Sequence, residues 1–168
     1  MPNPSNIDSE NFSALAFFPA GVPAGTIFEM NLDEIETILD DPKDKYRGIT
    51  PELCYIGLVS YFEAFSKDHA ASLVNLVPAL IENLRNANYD VKVEALKALE
   101  LGAMFPQRIG SMIMENYDFG SAKRINAIYN TLIKITPFSK DEIKRYDEIF
   151  TCSSRRHLHV EIHLANGI

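Results

Sequence analysis

Three of the four histidines of this 168-residue chain, His157, His159 and His163, fall within seven positions, directly after Arg155 and Arg156. Imidazole titrates near neutral pH and moves protons. Guanidinium stays charged and offers a planar fork of donors to phosphoryl oxygens. Seven residues separate Arg156 from His163, almost two full turns at 3.6 residues per turn, so on a helix the two share a face. Cleaving RNA without a metal needs those two functions: a group to take the 2′-OH proton and a cation to hold charge on the phosphate. Two other readings of the cluster stand beside this one. His159 and His163 have the i, i+4 spacing of a helical zinc pair, but the order is His-Val-Glu-Ile-His. That order turns Glu161 away from the face the two histidines share. The plainest reading is a helix end whose cations suit the negative pole of the dipole. His69 stands alone and reads as a surface residue on a turn between two helices.

The elements that must position the cluster read as helices throughout. Ser139-Lys140-Asp141-Glu142 is an S-x-x-E capping box. It opens a helix carrying Ile143, Tyr146, Ile149 and Phe150 and continuing beyond Cys152. Ser121 caps a helix with Ile125, Ile128, Tyr129, Leu132 and Ile133 on one face, stopped by Pro137. Thr50-Pro51 opens a long helix to Lys67, apolar on more than one stripe, which predicts a central or interface position and a dimer. A second helix is expected from Ala70 to Leu84, kinked at Pro78. Asp90 is expected to cap a third, running through Val93, Leu96, Leu99 and Met104. Pro106 then interrupts, and a short turn follows from Gln107 to Asn116. Asn31 is expected to cap a short helix to Leu39, closed by Asp40-Asp41-Pro42, while Phe17 to Gly25, with Pro19 and Pro23, reads as extended. No alternating strand pattern occurs. The expected fold class is all-α, an up-and-down bundle with a partly extended N-terminal segment. Residues 1–48 form an acidic, largely irregular segment and residues 49–168 the helical domain.

Composition narrows the function classes. The 16 basic and 23 acidic side chains give a net charge of −7, of which residues 1–50 carry −6. The remainder is nearly balanced and leaves room for a local basic site. No apolar run approaches the roughly 18 residues of a membrane span, so no membrane partner is expected. The N-terminus lacks the basic start and apolar stretch of a secretory signal. Two cysteines without a CxxC exclude a disulfide framework and a cysteine zinc site, and point to a reducing cytoplasm.

Three stretches together resemble the HEPN family, the higher eukaryotes and prokaryotes nucleotide-binding domain, especially its bacterial ribonuclease-like branch. They are Leu58-Val59-Ser60-Tyr61-Phe62-Glu63-Ala64-Phe65; Ala122 to Tyr129 leading through Thr136-Pro137-Phe138 into Asp141-Glu142-Ile143; and Glu148-Ile149-Phe150 followed by Arg155-Arg156-His157, His163 and Asn166-Gly167-Ile168. The last is similar to the family's R-x₄₋₆-H motif at its longest spacing. The shorter R-x₄-H spacing from Arg156 falls on Glu161. There is no tyrosine just after His163, so the modification site of one toxin–antitoxin branch is missing. Members usually carry more of the last helix beyond the Gly-Ile, where this chain stops at Ile168.

The resemblance covers roughly residues 50–168. It implies a helical bundle dimerising through the motif helices, with a composite active site in the cleft between them. It implies a metal-independent endoribonuclease with no cofactor, a toxin or antiviral defence effector held in check by an antitoxin or regulatory protein. Arg156, His163 and His157 would be catalytic, and Arg155 and Asn166 would bind the RNA. Relatives that have lost catalysis imply the alternative, a non-catalytic helical interaction module.

Overall fold

The computed structural model describes Phe18, residues 22–40 and residues 49–151. Every regular element among them is helical, so the expected all-α class is met. The helices are α1 (Ala24–Leu39), α2 (Thr50–Leu76), α3 (Leu80–Asn86), α4 (Ala95–Leu101), α5 (Phe105–Met114) and α6 (Ala122–Ile133). A 3₁₀ turn, Gly102–Met104, joins α4 to α5. A further helix, α7, occupies residues 140–151 up to the end of the described chain.

At 27 residues α2 is about 40 Å long at 1.5 Å per residue, and α1 and α5 pack most extensively along it. Pro51 sits in its first turn, where a missing N–H costs nothing, and Glu52 faces the positive end of the dipole. The expected stop at Lys67 does not occur. Nothing between Lys67 and Ala70 breaks a helix, and the first breaker is Pro78. The helix ends at Leu76 because a residue preceding proline is driven out of the helical region. Val77 accordingly adopts φ −131°, ψ 77°. Pro78 therefore separates α2 from α3 and does not kink a helix. Burial also differs from expectation. It is concentrated in the second half, at Ser66, Ala70, Ala71, Ser72, Val74 and Asn75, whereas Leu53 and Tyr61 in the first half are exposed.

α1 is longer than the expected 31–39. Pro23 precedes it with an extended backbone, and Asn31 lies inside it, donating from Nδ2 to the Ile27 carbonyl at 2.9 Å. Tertiary packing overrides the weak helix formers Gly25 and Asn31: Phe28 stacks on Phe65 at 5.1 Å and meets Phe62 edge-on at 5.8 Å.

The small side chains of α2's second half admit α5 at very close range. A Cβ on Gly110 would stand 2.1 Å from the Ala71 carbonyl oxygen. The Gly110 N–H donates to Asn75 Oδ1 at 2.7 Å, and Asn75 is 1% exposed. Pro106 opens α5 instead of interrupting it.

The expected helix from Asp90 is shorter and turned outward. Residues 91–94 are not helical, α4 starts at Ala95 and Gly102 ends it at φ 51°. The backbone carbonyl of Asp90 accepts from Tyr117 Oη at 2.9 Å. That bond, with the edge-on Tyr89–Tyr117 pair, holds this stretch extended. Leu96 and Leu99 are 74% and 77% exposed.

α6 forms as expected. Ser121 Oγ accepts from the Arg124 N–H at 3.2 Å, and Ile125, Ile128, Tyr129 and Leu132 are buried. Lys134 closes the helix in the left-handed region, before Pro137. Asn83 Nδ2 from α3 donates to the Leu132 carbonyl of its last turn at 2.9 Å. No helix among the described residues is long and apolar enough to cross a membrane. Cys54 is a buried free thiol, and Cys152 lies outside the described residues.

Candidate functional site

Arg155, Arg156, His157, His163 and Asn166 lie outside the described residues, as do His159 and Glu161. The helix that leads into them is well fixed. Its start is the expected capping box in both directions: the Ser139 N–H donates to Glu142 Oε2 at 2.8 Å, and the Glu142 N–H donates to Ser139 Oγ at 3.3 Å. Hydrogen bonding of the carboxylate by the Ser139 backbone N–H, and then by the Ser139 side chain, favours its ionised form and holds Glu142 below its ordinary pKa.

The loop before α7 is clamped by Asn126. Its Nδ2 donates to the Phe138 carbonyl at 2.7 Å and its Oδ1 accepts the Phe138 N–H at 2.9 Å, so one side-chain amide pairs with the backbone as a strand would. Farther along α7, Asp147 Oδ1 accepts the Ala122 N–H at 2.7 Å and so caps α6 from a neighbouring helix. Tyr55 Oη donates to the Ile149 carbonyl at 2.8 Å, fixing the far end of α7 to α2.

His69, expected on a turn, is an interior residue of α2. The residue is exposed, and two rings stack on its imidazole, Phe65 at 6.0 Å and Tyr129 at 5.7 Å. That cover lowers the imidazole's pKa from 6.5. Its Nδ1 stands 2.8 Å from Tyr129 Oη, and the same hydroxyl is 3.1 Å from the Ser66 carbonyl oxygen. A carbonyl only accepts, and the phenol has one proton. Both contacts are hydrogen bonds when the phenol donates to Ser66 and His69 Nδ1–H donates to the phenol. Burial pushes the Tyr129 hydroxyl far above its ordinary 10.0, so it stays protonated. A sequence signal for the Phe65–His69 stack existed. Phe62, Phe65 and His69 fall at i, i+3 and i+7 along one helical stripe, provided the helix runs through Lys67.

Several hollows open among the described residues, one beside His69 and one beside Asp68. The first, of about 390 Å³, is lined by Phe62, Phe65, His69, Tyr129, Ile135 and Phe138 among others. The second, of about 650 Å³, lies between α2, α4 and α5. It carries Lys67, Lys97 and Arg108 against Asp68, Glu100 and Glu115, with Lys97 Nζ bridging to Glu115 Oε2 at 2.8 Å. Burial raises the pKa of Asp68 against the opposing pull of Lys67. Ser111 Oγ, also lining this cleft, is buried without a hydrogen-bond partner. No group of three or more metal-ligating side chains comes together among the described residues.

Compared with family models, curated proteins and solved structures, the chain finds no match in any of the three.

Proposed function

We propose that the chain is a metal-independent RNA endonuclease of the HEPN type, working as a homodimer in toxin–antitoxin or antiviral defence. The observation that supports this reading is the anchoring of α7. Its first turn is closed by the Ser139–Glu142 box, its middle by Asp147 on α6 and its end by Tyr55 on α2. A catalytic segment needs a rigid support if its side chains are to hold a reacting geometry, and this helix delivers the chain to Arg155-Arg156-His157 four residues after Thr151. In the proposed reaction His163 takes the 2′-OH proton. The freed oxygen attacks the adjacent phosphorus, the 5′-oxygen leaves with a proton, and a cyclic phosphate remains. Arg156 stabilises the charge on the phosphoryl oxygens, His157 orients the phosphate, and Arg155 and Asn166 hold the RNA strand. Incubating total RNA with wild type and with His163→Ala, with and without EDTA, tests the proposal: wild type cuts in both conditions and the variant in neither.

A second reading, a non-catalytic interaction module acting as an antitoxin-like or regulatory partner, is favoured by a different observation. Arg85, Lys92, Lys97 and Arg124 each pair with a carboxylate, while Leu96 and Leu99 present apolar surface. Wild type that leaves RNA intact at every salt concentration selects this reading.

A further inference from the structure

The hollow beside His69 has the composition of a small-molecule site. At about 390 Å³ it falls inside the range of roughly 300–1,000 Å³ common for ligand pockets. Its walls are aromatic and aliphatic: Phe62, Phe65, Tyr129, Phe138, Ile133 and Ile135. The polar side chains at its lining, Ser66, His69 and Tyr129, are bound up with one another or with the backbone. Ser66 Oγ donates to the Phe62 carbonyl at 2.9 Å, and the Tyr129 hydroxyl is satisfied by Ser66 and His69. One polar atom is left over. With the Nδ1 proton given to Tyr129, the neutral imidazole keeps a lone pair on Nε2, which has no hydrogen-bond partner among the described residues. Among the described residues, no Lys, Arg, Asp or Glu lines the hollow.

We propose that this pocket binds an uncharged aromatic molecule of two or three rings that carries a single hydrogen-bond donor, which it gives to His69 Nε2.

Each feature of that ligand follows from the lining. The stacked rings of Phe65, His69 and Tyr129 offer flat faces, which favour another ring. A charged ligand would lose its hydration without gaining a counter-ion. A nucleobase is disfavoured for the same reason, because several edge atoms would be desolvated against one available acceptor. On one side of the hollow the double hydrogen bond between Asn126 and the Phe138 backbone holds the chain in place, which lowers the ordering cost of binding there. None of the described lining residues is one of the proposed nuclease residues, and the binding test does not read RNA cleavage.

The probe is N-phenyl-1-naphthylamine, which is uncharged, aromatic and has one N–H, and brightens in apolar surroundings. Its N-methylated analogue lacks the donor and serves as the paired control. Wild type should bind the probe saturably and more tightly than the analogue. His69→Phe keeps a stacking ring and removes the acceptor. It should weaken the probe by roughly three- to tenfold, as expected for one neutral hydrogen bond, and leave the analogue unchanged. Ile135 is 54% exposed, so Ile135→Glu leaves the core intact while placing a carboxylate at the pocket. It should weaken both compounds by about tenfold or more, with an unaltered far-ultraviolet spectrum. No saturable binding by wild type, or binding that Ile135→Glu leaves unchanged, overturns the site. Equal weakening of probe and analogue by His69→Phe overturns the role of Nε2.

Discussion

Replacing Gly110 with alanine, ordinarily a helix-stabilising change, should destabilise this protein. The added Cβ would lie 2.1 Å from the Ala71 carbonyl oxygen, 2.8 Å from Asn75 Oδ1 and 3.0 Å from the Ala71 carbonyl carbon. Two of the three atoms are backbone of α2, which cannot swing aside as a side chain can. Restoring an ordinary contact requires α2 and α5 to part by roughly 1 Å, against a close-packed interior. Overpacking of this kind costs about 1–3 kcal/mol. Separation also stretches the 2.7 Å bond from Gly110 N–H to Asn75, forfeiting about 0.5–1.5 kcal/mol. Alanine's better helix propensity returns about 0.5–1 kcal/mol. The net loss is about 2 kcal/mol, which in a chain of this size lowers the melting temperature by roughly 4–8 °C. Gly57 supplies the internal control: it lies in α2, and its nearest foreign atom is Tyr61 Cε2 at 3.8 Å. Gly57→Ala should stabilise by about 0.4–1 kcal/mol. Urea unfolding followed by circular dichroism reads both effects as midpoint shifts of opposite sign at constant slope. A Gly110→Ala variant as stable as wild type would refute the close-approach account.

Three further outcomes are expected. His69 is held below 6.5 by its covering rings, so the unfolded chain takes up this proton first. That part of stability is full above about pH 6.5 and declines as pH falls through the lowered folded value. His69→Gln should flatten the urea midpoint against pH between about 7.5 and 5, and parallel curves would count against it. Asp147→Ala removes the acceptor for the Ala122 N–H and should cost about 1–2 kcal/mol, read by thermal melting; no change would mean that Ser121 alone caps α6. In the nuclease assay, His163→Ala should lower the cleavage rate by about 10²–10⁴-fold. Arg156→Lys should also lose most activity, because a point ammonium cannot reproduce a bidentate grip. Loss of activity in Glu161→Ala with His163→Ala intact would shift the motif assignment.

The sequence by itself determined the fold class, the Ser121 cap, the Ser139–Glu142 box and the buried face of α6. All of these are local: a cap and its N–H lie three residues apart, and helical periodicity needs no partner. Tertiary structure decided the rest. Whether α2 stops at Lys67 or runs to Leu76 turns on the absence of a breaker and on Ala70, Ala71 and Val74 being buried together by α5. Asn31 and Asp90 both have the residue type of an N-cap, and neither serves as one. The core reaches further upstream at Phe28, and Tyr117 pulls the backbone of Asp90 into an extended path. Leu96 and Leu99 obey helical spacing yet face outward, since periodicity marks a stripe and not what covers it. The pairing of His69 with Tyr129 joins residues sixty positions apart. No local pattern encodes that separation, because the contact exists only once α6 lies against α2.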